Sequence, residues 1–320
     1  MPEPSSTRKR RGRLFRAGAA LVVLLAVAGY LVAQYVTGGA GAPGCKVVSG
    51  GRAGATYEFT PEQAVNAATI AAVGTGRGLP ERAVTIALAT ALQESGLRNI
   101  EHGDRDSLGL FQQRPSQGWG TEQEIMDPAY AADIFYEHLV KVPDYTRLPL
   151  TDAAQRVQRS GFPQAYAKHE PDATLLASAL TGRSAATLTC EGRRGATPTA
   201  GPDAVRAALV RDFGQDALQS AAAEVGDKKA TPAPTPSVSA DGRVMTLPVT
   251  GDGGGRGLRE RGWQLAHWAV ANASDLHIAR VAYAGRVWTA GNTDSQWRPA
   301  DAQGTQGTQG TDSVRITTAQ

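Results

Sequence analysis

The chain predicts a mainly α domain followed by a small C-terminal α+β domain, both placed behind an N-terminal transmembrane helix. Three observations carry that architecture. Residues 17–36 contain no charged side chain; residues 60–182 repeat helix starts followed by apolar stripes; residues 244–317 alternate short β-branched runs with one helix.

At 320 residues, 41% hydrophobic and 20% charged, the composition is that of a globular protein long enough for about two domains. The 37 glycines and 18 prolines predict long connections. The net charge of +3 is concentrated at the start. Residues 1–16 hold Arg8, Lys9, Arg10, Arg11, Arg13 and Arg16 against Glu3, a local +5 that leaves about −2 for the remainder. A folded region with that balance argues against nucleic acid as the partner.

Residues 1–16 therefore read as a basic cytoplasmic tail and 17–36 as a transmembrane helix or uncleaved signal anchor. The apolar length suffices to cross a hydrocarbon core, and the preceding cations keep the N-terminus inside. Everything after Thr37 would then lie outside the cytoplasmic membrane. Ala40-Gly41-Ala42 has the small-x-small pattern of a cleavage site, which would release a secreted protein, but Pro43 disfavours cutting there. Cys45 and Cys190 are the two cysteines. In an oxidising compartment they are expected to pair, closing a long loop; two free buried thiols, or a lipid on Cys45, are the other readings. Cysteines so far apart in sequence do not make a metal site.

Thr60-Pro61-Glu62-Gln63 is a capping box that opens a helix reaching about Val73. The next helix starts at Pro80 and carries Val84, Ala87, Leu88, Ala91 and Leu92 as an apolar stripe; Glu94 lies in its last turn and Gly96 stops it. A carboxyl at the end of a buried helix is partly desolvated, which raises its pKa and favours the protonated state that a general acid requires. The competing reading of Glu94 is a surface ion pair with Arg98, four residues on, worth only tenths of a kcal/mol.

Glu94-Ser95-Gly96, followed at Gly109-Leu110-Phe111-Gln112 by a second motif, resembles the Glu-Ser and Gly-Leu-Met-Gln motifs of lytic transglycosylases and goose-type lysozymes. The resemblance covers roughly Thr60 to Gly182. It implies a lysozyme-like muramidase domain, bounded here at 45–190, in which Glu94 protonates the oxygen between N-acetylmuramic acid and N-acetylglucosamine. It further implies that Ser95, Gly109, Leu110, Phe111 and Gln112 belong to the sugar groove. A Tyr-Asn motif of that family falls where this chain reads Val157-Gln158, so Gln158 takes the place of the Asn, with Tyr166 nearby.

Around these motifs, the polar loop Arg98 to Ser107 offers Glu101, His102, Asp104 and Asp106 as second carboxylates, as a cation-binding loop or as a solvated turn. Trp119 either stacks on a sugar ring or packs under its loop. Thr121 and Asp127-Pro128 mark helix starts, and Thr151 is expected to cap a helix running through Ser160. His169 reads as a surface residue without a partner.

Residues 191–240 form a linker containing an amphipathic helix at 202–225, and its Thr-Pro-Ala-Pro run cannot pack a core. Residues 241–320 then predict strands at Val244–Val249, Ile278–Tyr283, Arg286–Thr289 and Val314–Thr317 with a helix at Arg261–Ala273. This pattern resembles relatives of zinc D-alanyl-D-alanine carboxypeptidases. Thr246, Ser313 and Arg315 stand where that resemblance implies zinc ligands, so the domain is expected to be non-catalytic and metal-free. His267 and His277 lack ligand spacing, and the Gly-rich turn at 251–257 lacks the dinucleotide pattern, so no cofactor is expected.

The expectation is thus a membrane-anchored, extracytoplasmic enzyme that cleaves the glycan strands of peptidoglycan. The alternative is an inactive peptidoglycan-binding or scaffold protein that keeps the groove. A transporter is excluded because one span cannot form a pathway.

Overall fold

The computed structural model describes residues 44–50, 54–192, 201–214, 236–240, 242–249, 257–291, 296–300 and 312–319. The basic tail, the 17–36 segment, the Thr-Pro-Ala-Pro run and the Gln-Gly-Thr repeats lie outside them. Among the described residues, no helix is long and apolar enough to cross a membrane. Helices dominate the first part of the chain and an antiparallel sheet the last.

The first long helix, α1 (Pro61–Gly76), begins on the expected capping box: the Thr60 hydroxyl accepts from the Gln63 N–H, and the Gln63 side chain accepts from the Thr60 N–H. Helix α2 (Glu81–Ser95) is the central element. Every residue from Ala83 to Leu92 is buried, whichever face it is on. Small side chains make that possible, because Ala83, Ala87, Ala89 and Ala91 let neighbouring backbones approach closely. Pro80 sits one position earlier than expected, as the extended residue before the helix. Gly96, in the left-handed region at φ 64°, ends it.

Four more helices follow, α3 (Glu122–Ile125), α4 (Pro128–Val140), α5 (Leu150–Gln158) and α6 (Glu170–Leu180); the last three pack on α2, and the short α3 packs on α4. Thr121 and Asp127 cap α3 and α4 as expected, each accepting a backbone N–H. Thr151 does not cap α5; it lies buried inside the helix, which starts one residue earlier after Pro149 and stops at Arg159, whose φ of 53° is left-handed. Helix α6 and the 3-10 turn before it (Pro163–His169) were not expected from sequence. Nor was the three-stranded antiparallel sheet of β1 (Cys45–Val48), β2 (Thr56–Phe59) and β3 (Leu188–Cys190), ordered β2-β1-β3. Cys45 faces Cys190 across that sheet, and the two form a disulfide over 145 residues of sequence.

Helix α7 (Pro202–Phe213) ends at Gly214, which leaves the helical region at φ 82°, ψ 164°; the rest of the expected 202–225 helix lies outside the described residues. The C-terminal sheet is ordered β4-β5-β9-β6-β7-β8, with β4 (Ser237–Val238), β5 (Val244–Pro248), β6 (Ile278–Tyr283), β7 (Arg286–Thr289), β8 (Arg298–Pro299) and β9 (Ser313–Thr318). All its pairings are antiparallel. Met245, Leu247, Val314 and Ile316 alternate inward, whereas Thr246 and Arg315 are cross-strand partners on the other face.

Helix α8 (Leu258–Ala271) belongs to both parts of the molecule. It is buried from Arg261 to Ala271. One side carries the sheet; the other packs on α1, α6 and β3. Three of its polar side chains, Gln264, His267 and Trp268, bond across that joint. Gln264 Nε2 donates to Thr75 Oγ1 at 2.6 Å, and Trp268 Nε1 donates to Asp212 Oδ2 at 2.8 Å. Fully buried His267 accepts the Thr187 N–H on Nε2, so its Nδ1 carries the proton and donates to the Ala179 carbonyl at 2.7 Å. Burial lowers its pKa to about 4, which keeps the ring neutral and makes it a core residue. From β7, Trp288 Nε1 donates to the Cys190 carbonyl at 2.9 Å, which ties the disulfide strand to the C-terminal sheet.

Asp212 collects three donors from three elements: Thr69 on α1, Arg211 on α7 and Trp268 on α8. Asp212→Ala would strand the Thr69 and Trp268 donors in a dry site, while half-exposed Arg211 could turn to water, and should cost about 3 kcal/mol of unfolding free energy. A urea midpoint within experimental error of the wild type would refute that role. The Cys45–Cys190 bridge should contribute roughly 4 kcal/mol in the chain-entropy model. The Cys45→Ser, Cys190→Ser pair should lower the same midpoint accordingly, and denatured wild type without reductant should show no free thiol.

Candidate active site

Because α2 is buried from Ala83 to Leu92, only its two ends reach solvent, and Glu94 is in the last turn. Two hydrogen bonds tie the helix end and the loop after it to the second motif, and a third closes the helix end on itself. The Ser95 hydroxyl donates to the Leu110 carbonyl at 2.8 Å and receives the Arg98 N–H, while the Gly109 N–H bonds the Ile100 carbonyl at 2.8 Å. The turn 109–112 is closed by the bridge between Leu108 and Gln113, and Gln113 Nε2 anchors it to the Ala131 carbonyl of α4. Gly109 has φ 73°, and a Cβ there would stand 2.7 Å from the Ile125 carbonyl oxygen, so both the conformation and the space require glycine.

This places the residues expected in the groove in two tiers. Glu94, Gln112, Trp119 and Gln158 line an open cleft of about 1070 Å³. Ser95, Gly109, Leu110 and Phe111 are buried behind it and are not in its wall. Phe111 stacks on Phe135 with ring centroids 4.7 Å apart. It meets the site only through its carbonyl, which accepts from Gln158 Nε2 at 2.7 Å. Gln112 adopts φ 49° and covers Gly103, where a Cβ would collide with its amide at 1.7 Å. Trp119 packs under its loop, its ring against His138 at 4.3 Å between centroids, and it also lines the cleft.

The Tyr166 hydroxyl donates to Glu94 Oε1 at 2.6 Å. Tyr166 is fully buried, on the 3-10 turn before α6, and its own pKa is raised by burial and by the Glu94 charge, so it remains a donor. Gln158, at the end of α5, is close enough to favour the charged Glu94 as well, and Arg114 adds a positive charge nearby. Burial outweighs all three, and the Glu94 pKa lies above the usual glutamate range. The ion pair with Arg98 does not form; Arg98 Nε donates to the Ser95 carbonyl instead.

The acidic loop is occupied with its own structure. Asp104 pairs with Arg114 at 2.9 Å, and Asp106 accepts the Ser116 N–H; the Ser116 hydroxyl first and that N–H second lower the Asp106 pKa. Asp104 borders the cleft. Among the described residues no cluster of three or more His, Cys, Asp or Glu could hold a metal ion. His169 is half-buried rather than free on the surface, with Nε2 3.3 Å from Gln93 Oε1.

Sequence reasoning missed three site residues. Tyr166 was noted without a role, since a contact across 72 positions leaves no local trace. Arg114 lies in a loop, where no periodicity marks it as facing the acid. Phe162, 78% exposed on the cleft wall, went unnoticed because nothing in its flanks marks an aromatic that fails to bury.

A family model described as VldE, C-terminal domain, matches residues 208–310. That stretch runs from within α7 to just before β9 and does not include the cleft. No curated protein matches the chain.

Since the folded pKa of Glu94 is raised, the native state holds a proton that the unfolded chain has released. Stability therefore falls as pH rises from the unfolded value toward the folded one, and the cost persists at neutral pH. Glu94→Gln should raise the melting temperature at pH 7, and the gain should vanish by pH 3. A variant less stable than the wild type at pH 7 would overturn the assignment of a strained, desolvated carboxyl.

Proposed function

We propose that the chain is a peptidoglycan-cleaving enzyme, a lytic transglycosylase or lysozyme, held at the outer face of the cytoplasmic membrane by residues 17–36. The observation that carries the reading is a single carboxyl, biased toward its protonated form, at the mouth of an open cleft and aligned by the Tyr166 hydroxyl. Glycosidic cleavage needs that proton, since the departing sugar oxygen is a poor leaving group until protonated. Glu94 then carries a negative charge, which the Tyr166 hydroxyl, Gln158 and Arg114 all stabilise. In that state it is a base, suited to take a proton either from the 6-hydroxyl of the same muramic acid, closing an anhydro ring, or from water.

Phe162 offers an exposed aromatic face for a sugar ring, and Gln112 and Gln158 offer amides to its hydroxyl and acetamido groups. A disulfide at Cys45–Cys190 suits an oxidising compartment outside the membrane. The C-terminal sheet, with Thr246 and Arg315 paired where a related zinc enzyme would hold ligands, is assigned a non-catalytic role.

The decisive experiment incubates the chain with purified peptidoglycan and identifies released muropeptides by mass spectrometry. Glu94→Gln should reduce release at least a hundredfold while leaving the fold intact, the loss expected for a missing general acid. Anhydro-muramyl ends would define a transglycosylase and reducing ends a hydrolase. Wall binding without release by the wild type would establish a binding module instead.

A further inference from the structure

The cleft that contains Glu94 is lined by five cations, Arg105, Arg114, Lys141, Arg156 and Arg159, against two carboxylates, Glu94 and Asp104. The described part of the chain is not basic overall, so the concentration is local. Arg114 is engaged with Asp104, and Lys141 with Glu137 at 2.7 Å. Arg105, Arg156 and Arg159 are exposed and make no ion pair among the described residues.

Their placement is specific. Arg156 and Arg159 lie on the last turn and the cap of α5, next to Gln158, which touches the Glu94 environment. Arg105 lines the same cleft from a different segment, the loop that Arg114 braces through Asp104. Arg159 and Arg105 both have left-handed backbone, φ 53° and 59°. Such positions favour glycine or asparagine on conformational grounds, yet both here carry a guanidinium. Desolvation is mild at these exposed sites, so the charges cost little to keep and are free to meet a ligand.

A strand of neutral amino sugars has no use for guanidinium groups. Carboxylates do, because the planar fork of arginine matches their two oxygens and its charge cannot be titrated away. We propose that Arg105, Arg156 and Arg159 form an anion-reading rim that selects glycan strands bearing carboxylates flanking the scissile bond. The inference rests on the glycan-cleaving reading above. Those carboxylates have two sources: the peptides attached to muramic acid, or the lactyl group that is exposed once a peptide has been removed.

The test compares three ligands with the full-length chain: peptide-bearing strands, strands stripped of peptides by an amidase, and a neutral chitin hexamer. Wild type should bind both muramyl ligands at least tenfold more tightly than the hexamer, and that preference should collapse between 0.05 and about 0.5 M salt. Arg156→Gln with Arg159→Gln should raise KM for the carboxylated strands about tenfold, cost the hexamer a much smaller factor, and affect kcat less than KM. Tighter binding of peptide-bearing than of stripped strands assigns the rim to peptide carboxylates, and the reverse assigns it to the lactyl group. Equal binding of all three ligands overturns the rim proposal but leaves glycan cleavage standing. No binding or cleavage of any of them overturns both, and preferential retention of single-stranded DNA would show a phosphate polymer to be the occupant.

Discussion

A helix buried on every side has only its ends to offer to solvent, and the rest of this molecule is arranged around that constraint. Helix α2 is sealed from Ala83 to Leu92, so whatever stands one turn later is held with little freedom at the edge of the core. Glu94 stands there. The same burial has two effects on it. It fixes the carboxyl's position through the rigid helix, and it removes enough water to raise the pKa. Positioning and proton affinity are therefore one consequence of packing α2 with alanine, leucine and threonine. The Ser95 tie to Leu110 extends that rigidity into the cleft floor, which explains why motif residues that never reach the cleft are still tied to it.

The second organising element is α8, and its role differs from that of a linker-separated appendage. Its buried polar groups reach outward to Thr75, Ala179, Thr187 and Asp212, all in other elements. Each of those bonds is satisfied in a dry environment, where an unpaired partner would cost about 1 to 3 kcal/mol. The disulfide and the Trp288 and Trp297 indole N–H groups close the same joint from the other side, on the carbonyls of Cys190 and Leu188. The helical part and the sheet are thereby held as one packed unit, and a change at α8 is felt on α1 and α6, the helices flanking α2.

What the sequence made legible follows the range of the forces involved. Caps and stops act within four residues, so Thr60, Gly96, Thr121 and Asp127 were readable, as were the β6 and β7 bounds around the Ala284-Gly285 turn. Glu94 was readable because helix periodicity and a stop together say where a helix end lies. The failures are long-range or subtractive. The β1-β2-β3 sheet joins segments more than a hundred residues apart, and three- and four-residue strands leave almost no periodic signal. Thr151 looked like a cap because its type favours caps, but the turn at Pro149 had already set the helix start. Tyr166 and Phe162 are eight and four positions past Gln158, yet one ends buried on the acid and the other exposed at the rim, a difference decided by packing alone.

The site also contains an apparent conflict. A cleft rich in arginine should depress the pKa of any carboxyl within it, yet Glu94 remains raised. Distance and solvent resolve it. Of the five cleft cations, Arg114 is the one near enough to act on Glu94, while the others are exposed and screened by water. The acid thus sits in a dry recess and the cations on a wet margin. A strand laid along the margin would exclude water from the recess, and that added desolvation pushes the Glu94 proton affinity upward. Substrate binding and acid activation would then be coupled through desolvation, with no movement of the protein required.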